Sequence, residues 1–188
     1  EISLLAVCDG QIAVPLAPAQ DFKRLRDQDE GPNTGGMGAY SPVPFLEGNL
    51  VERIMDIAVT PTLETLKRRG IDYRGVLYCG LMITPDGPKV LEYNVRFGDP
   101  ETQVVLPRLK TDLVELLVGA ASGSINSNPI FSNEAAVAVV CASESYPENP
   151  RIGDFINGLP QVQKMEGIDV FFSGVRSTNG GLVTDGGR

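Results

Sequence analysis

Apolar and polar residues alternate along LEYNVRF, residues 91 to 97, so that Glu92, Asn94 and Arg96 fall on one strand face and Leu91, Tyr93 and Val95 on the other. The first face carries side chains capable of chemistry, and the second reads as the buried one. GVLYCGLMI precedes it across Thr84-Pro85-Asp86-Gly87-Pro88, a tight-loop signal, so the two runs are expected to pair antiparallel. Residues 2 to 8 and 11 to 16 read as a similar pair around Asp9-Gly10. The spacing of Leu50, Ile54, Ile57 and Ala58, then Leu63 and Leu66, predicts a helix over about 49 to 69, kinked at Pro61 and stopped at Gly70. A second helix over about 112 to 122 presents Leu113, Leu116, Leu117, Ala120 and Ala121 on one face and ends at Gly123. Between these, Asp99 is expected to cap a helix whose first residue is Pro100.

Periodicity fades from Gln20 to Pro44, where GPNTGGMGAYSP sets four glycines among residues 31 to 38. A loop of that length in a compact region is functional or disordered. SINSNPIFSNE, residues 124 to 134, carries linker signals, and AAVAVVCAS, DVFFSGV and GGLVTDGG beyond it read as strands. The expected division is a partial domain over 1–125, a linker over 126–134 and a small, incomplete β-rich domain over 135–188. The chain opens in apolar ISLLAVCDG without a Met and stops at TDGGR just after a turn signal, which leads us to expect a piece of a longer protein.

Composition narrows the chemistry. A net charge of -8 argues against a nucleic-acid backbone reader, which needs clustered Lys and Arg. No apolar run reaches the ~20 residues of a membrane span. Cys8, Cys79 and Cys141 are odd in number, far apart and set in apolar runs, so neither a disulfide framework nor a zinc site is indicated and the reduced cytoplasm is the simplest compartment. The chain has no histidine, which removes His-dependent triads and His-ligated metals. Nothing in the sequence sets an oligomeric state.

Three groups of residues could carry chemistry with what remains. Glu92 and Asn94 offer a carboxylate and a carboxamide oxygen, a set suited to Mg²⁺ shared with substrate phosphates, and Arg96 continues the face as an anion clamp. An edge strand with a solvated polar face would look the same. Gly98-Asp99-Pro100-Glu101 would aim a helix start at an anion, or simply cap a helix. The glycines of GPNTGGMGAYSP could bring backbone amides to a phosphate, or form a surface turn; Asp21 and Lys23 stand upstream in a charged run whose default reading is a solvated face.

PLAPAQDFKR, GPNTGGMGAYSP, GVLYCGLMIT and GPKVLEYNVRFGDPETQVVLPRLK, in that order, resemble the phosphoribosylamine-glycine ligases of the ATP-grasp superfamily, and the likeness extends through ASESYPENPRIGDFINGLP. The resemblance implies an α+β fold: the second half of an ATP-grasp domain, an antiparallel sheet with helices, followed by a small β-rich carboxy-terminal domain. It implies ligation of glycine to 5-phosphoribosylamine with ATP as substrate, through a glycyl phosphate, in purine synthesis. Glu92 and Asn94 match the family's ligands for Mg²⁺ or Mn²⁺. The site implied includes Arg96 and Asp99 as catalytic residues. The substrate contacts implied are Asp21, Lys23, Asn33, Thr34, Gly35, Gly36, Met37, Gly38, Arg96, Gly98, Asp99, Pro100 and Glu101. The likeness also implies an amino-terminal domain and an earlier ATP-grasp half that this stretch lacks, so that the segment alone is expected to be inactive. A related ATP-grasp carboxylate ligase, and a noncatalytic module that holds nucleotide or a partner, are the competing readings.

Overall fold

The structure is a computed structural model that describes residues 1–46 and 48–188. Its residues group into two units, Glu1–Phe22 with Gly38–Ala138, and Lys23–Met37 with Val139–Arg188.

The first unit is built on an antiparallel sheet in the order β2-β1-β7-β8, formed by β1 (Ile2–Asp9), β2 (Ala13–Pro15), β7 (Arg74–Thr84) and β8 (Gly87–Asn94). Both hairpins expected from the sequence are present, and β1 and β7 pair along their length from Ile2↔Leu81 to Asp9↔Arg74. Every residue of β1 is buried, because helices lie on both faces of this central pair. On one face Leu4, Ala6, Leu77 and Cys79 meet Ile54, Ala58, Val59 and Leu63; on the other Leu5, Val7, Val76 and Tyr78 meet Val104, Val105, Leu116 and Ala120. Burial on both sides explains why ISLLAVC reads as one continuous apolar run and not as an alternation.

The helix on the first face runs as α1 (Leu50–Ile54), a π-helical turn (Met55–Val59) and α2 (Thr60–Arg68). Pro61 has no N–H and its ring crowds the carbonyl four residues back, and the chain answers by widening the turn before it, where the Thr60 N–H reaches Met55 O. The expected distortion at Pro61 is therefore a π turn inside a continuing helix. On the second face α3 (Thr102–Val105) is a single turn that runs on as a 3₁₀ turn (Leu106–Arg108), and α4 (Leu113–Ser122) is capped by the Asp112 carboxylate at the Glu115 N–H and by left-handed Gly123.

Buried Arg108 fastens the segment after α4: Nε donates to Glu134 O, Nη2 to Ser132 O, and Nη1 to Ser41 Oγ. Lys110 N also donates to Ile130 O. The stretch 126–134, although rich in linker signals, is thus hydrogen-bonded into the first unit.

The region from Gln20 to Pro44 is not one loop. It contains β3 (Gln20–Asp21), β4 (Arg24–Arg26), β5 (Glu30–Asn33) and β6 (Gly38–Ser41), strands of two to four residues that are too short to show periodicity. β3 and β6 form a small sheet with β9 (Ala136–Val139), and β4 pairs with β5 in the second unit. That unit also holds α5 (Leu159–Val162) and the hairpin of β10 (Val175–Thr178) and β11 (Gly181–Thr184). The strand expected over DVFFSGV starts only at its last residue, Val175. Residues 153 to 156 line the other edge of β11 through Gly153 N to Thr184 O and Ile156 N to Leu182 O.

Candidate functional site

The register of the main sheet places the chemistry. Ser3 pairs with Gly80 and Gly80 with Glu92, while in the next row Leu5 pairs with Tyr78 and Tyr78 with Asn94. Directly opposed residues share a sheet face, so Glu92 and Asn94 sit together on the Tyr78 side. Gly80 makes room for this: a Cβ there would lie 3.1 Å from Glu92 Cγ and 3.5 Å from Tyr78 Cε1. Glu92 is exposed and Asn94 half-buried.

Two expectations about this strand are corrected. A bulge between Gly80↔Glu92 and Leu81↔Val90 leaves Leu91 without an opposed residue, so the simple alternation stops there. The apolar side is also not buried: Leu91 is 51% and Val95 75% exposed, because β8 is the edge of the sheet. Tyr93 is anchored through its hydroxyl, which donates to Ala58 O at 3.1 Å and accepts from Thr62 Oγ1 at 3.0 Å. The strand ends at Asn94, so Arg96 belongs to the following bend, where Nη1 donates to Phe97 O at 2.8 Å.

The Gly98–Glu101 run is a turn and not a capped helix start. α3 begins at Thr102, and Asp99 instead accepts on Oδ1 from Gln103 Nε2 at 2.8 Å. Gly98 O receives both Thr102 N and Thr102 Oγ1, and Pro100 is fully buried. A helix of one turn has little dipole to offer, so the expected anion site at its N-terminus loses its main physical support. The Glu101 side chain points inward, accepting from Ser3 Oγ at 2.8 Å, and Ser3 Oγ lies 2.8 Å from Tyr78 Oη. Desolvation, and then the Glu101 charge, hold the Tyr78 phenol well above its ordinary pKa.

The glycine motif divides between the two units. In the first, buried Asp21 pairs with Ala39, and Gly38 O accepts from Phe22 N at 3.0 Å. In the second, Lys23 O accepts from Thr34 N at 2.7 Å and Thr34 Oγ1 at 2.8 Å, and Gly36 N donates to Thr34 Oγ1 at 3.0 Å. Gly35 N donates to Tyr146 Oη at 3.0 Å, Gly35 O accepts from Arg188 Nη2 at 2.7 Å, and Met37 O accepts from Val140 N at 3.0 Å. Asn33 is exposed and pairs with Arg24 in the β4–β5 ladder. The amides of Thr34, Gly35 and Gly36 thus serve as a joint within the second unit, and Gly35 has a packing reason: a Cβ there would lie 2.5 Å from Arg188 Nη2. Ser3, Tyr78, Tyr146 and Arg188 are partners that no local motif announces.

Burial pushes Cys8 and Cys79 up to about 12, leaving both as neutral thiols. Among the described residues no three His, Cys, Asp or Glu side chains cluster closely enough to hold a metal ion, and no helix is long and apolar enough to cross a membrane. The donor set at β8 is one carboxylate and one carboxamide oxygen beside a glycine gap, which fits a hard divalent ion that keeps waters and substrate oxygens as its other ligands.

This antiparallel sheet with helices on both faces, with a small β-containing second unit, belongs to an ATP-grasp type of protein. The family model described as phosphoribosylglycinamide synthetase, ATP-grasp (A) domain, matches residues 1–102, and its C domain counterpart matches residues 136–188. The chain belongs to the phosphoribosylglycinamide synthetase family. It is 51% identical over 192 residues to a phosphoribosylamine–glycine ligase of Streptomyces coelicolor, covering 100% of this chain and 46% of that relative. It is 50% identical over 190 residues to the trifunctional purine biosynthetic protein adenosine-3 of Gallus gallus, again over 100% of this chain but 19% of the relative. The crystal structure of the Thermotoga maritima phosphoribosylamine–glycine ligase superposes with a TM-score of 0.84 at 37% identity, covering 100% of this chain and 46% of that one. The chain therefore spans about half the length of the single-function relatives it matches.

Proposed function

We propose that this chain is part of an ATP-dependent ligase that joins glycine to 5-phosphoribosylamine, giving glycinamide ribonucleotide, ADP and phosphate in de novo purine synthesis. One observation carries the reading: Glu92 and Asn94 share a strand face beside the gap at Gly80, in a family whose relatives bear the name of that ligase. In the proposed reaction a glycine carboxylate oxygen attacks the γ-phosphorus of ATP, the bond to the β-phosphate oxygen breaks, and ADP leaves. The ribosylamine nitrogen then attacks the carbonyl carbon of the glycyl phosphate, phosphate leaves with the bonding pair, and the nitrogen gives up a proton.

Glu92 and Asn94 would hold Mg²⁺, or Mn²⁺, which when bound offsets the charge on the transferring phosphoryl group. Arg96 supplies a planar guanidinium for a substrate carboxylate or phosphate. Asp99, exposed on a turn whose neighbours Gly98 and Pro100 are buried, offers its carboxylate to a substrate amine. Asp21 and Gly38 in the first unit, and Lys23 and Asn33 to Met37 in the second, are assigned to substrate by the family likeness alone. We place the protein in the cytoplasm, with a partial ATP-grasp domain over 1–125 and a small carboxy-terminal domain over 135–188. Phosphate release by the full-length protein tests the reading. It should require ATP, Mg²⁺, glycine and ribosylamine together, and release that persists with another carboxylate in place of glycine would favour a related ligase.

A further inference from the structure

Glu101 stands in the run that the family likeness assigns to substrate, yet it is only 2% exposed. Ser3 donates its single hydroxyl proton to Glu101 Oε1, so the remaining 2.8 Å contact must run from Tyr78 O–H to Ser3 Oγ. The result is a directed chain of three buried groups from three separate parts of the sequence. The other carboxyl oxygen rests on Gly98, where an added Cβ would come within 2.4 Å of Oε2. A buried polar side chain is costly unless its partners are in place, so this arrangement holds its turn to one position.

That turn is Gly98-Asp99, and the strands at the other end of the chain are the ones that set the donor pair. Ser3 shares a row with Gly80 and Glu92, and Tyr78 a row with Asn94. We propose that Ser3, Tyr78 and Glu101 act as one set of positioning residues, fixing Gly98 and Asp99 relative to the Glu92/Asn94 row, and that Glu101 is not itself a ligand. The inference deepens the ligase reading above and rests on it. Its consequence is that Glu101 works through an acceptor oxygen, while a ligand for an amine or a metal would work through charge.

The test uses the full-length ligase, with kinetics taken on folded enzyme well below the Tm of each variant. Ser3→Ala, Tyr78→Phe and Glu101→Ala should each lower kcat/KM for glycine or ribosylamine by about 10- to 100-fold, the scale of a misplacement near 1 Å, with the Mg²⁺ requirement unchanged. Glu101→Gln, which keeps an acceptor for Ser3, should recover most of what Glu101→Ala loses. The pair Ser3→Ala with Tyr78→Phe should lose little more than either alone, since one cut already opens the chain. Glu101→Gln as damaging as Glu101→Ala would overturn the proposal and make Glu101 a charged ligand. Variants with lowered Tm but wild-type kcat and KM per folded molecule would overturn it by showing a purely structural role. Tyr78→Phe keeps the buried ring and so reports even where a Glu101 variant does not fold. A wild-type enzyme inactive with these substrates would instead sink the ligase reading itself.

Discussion

Gly80 and Glu92 face each other across β7 and β8, and the hydrogen atom that glycine carries in place of a side chain is what lets the Glu92 stem lie over the neighbouring strand. Gly80→Ala would set a Cβ 3.1 Å from Glu92 Cγ, a contact that a flexible side chain relieves by swinging away. The expected outcome is a higher Mg²⁺ concentration for half-maximal activity with a stability change within about 1 kcal/mol. Metal titration of turnover, alongside a thermal melt, checks both halves; an unmoved Mg²⁺ response would mean that the gap at Gly80 does not serve Glu92.

Replacing the carboxylate itself gives a larger effect. Glu92→Gln keeps the shape and removes the charge, so turnover should fall by roughly 100-fold or more, the equivalent of about 3 kcal/mol or more of charge stabilisation. Because Glu92 is exposed, the melting temperature should stay near that of the parent. Wild-type activity with unaltered Mg²⁺ dependence would remove Glu92 from the site.

Arg96→Lys retains a positive charge but not a planar fork. If Arg96 clamps a substrate anion with two parallel hydrogen bonds, the KM for glycine or ribosylamine should rise by about tenfold while folding is unaffected. Steady-state kinetics with each substrate varied in turn decides this, and unchanged constants for both would leave Arg96 as a solvated bend residue tied to Phe97 O.

Asp9 sets an acid limit on stability. Burial works against its ionisation, but hydrogen bonds from the Ile12, Ile125 and Gln11 N–H groups, with the charge of Arg74, outweigh it and hold the carboxyl below its usual range. A depressed folded-state pKa contributes stability that is present above the unfolded value, about 4, and is lost as pH falls through the folded one. Asp9→Asn should therefore cost about 1–3 kcal/mol at neutral pH, and the gap between variant and parent should narrow below pH 4. Urea unfolding of both proteins from pH 7 to pH 3 measures it; a pH-independent gap would contradict the assignment.

Local signals made much of this fold legible. The Pro-Asp turn joins β7 to β8, Asp112 and Gly123 bound α4, and Pro61 marks the one distorted stretch of its helix. The face shared by Glu92 and Asn94 was readable because strand alternation holds from Glu92 onward. What could not be read depends on distant partners. The bulge at Leu91 appears only in the register against β7, the exposure of the apolar side only from the position of β8 at a sheet edge, and the Glu101 network only once Ser3 is brought 98 residues back along the chain to meet it. Asp99 and Pro100 imitate a helix start in sequence, but in the fold they lie in the turn before α3, which begins at Thr102.

The grouping of residues 23–37 with residues 139–188 has a consequence for how the chain is made. A ribosome releases the first segment about a hundred residues ahead of the second, so Gly35 must wait for Tyr146 and Arg188 while β7, β8 and α4 are still being synthesised. The delay adds little closure entropy, since that cost grows only with the logarithm of loop length. It does give vectorial synthesis an order: the first unit can consolidate around an open excursion, and the second completes only when the last residues of this stretch have emerged.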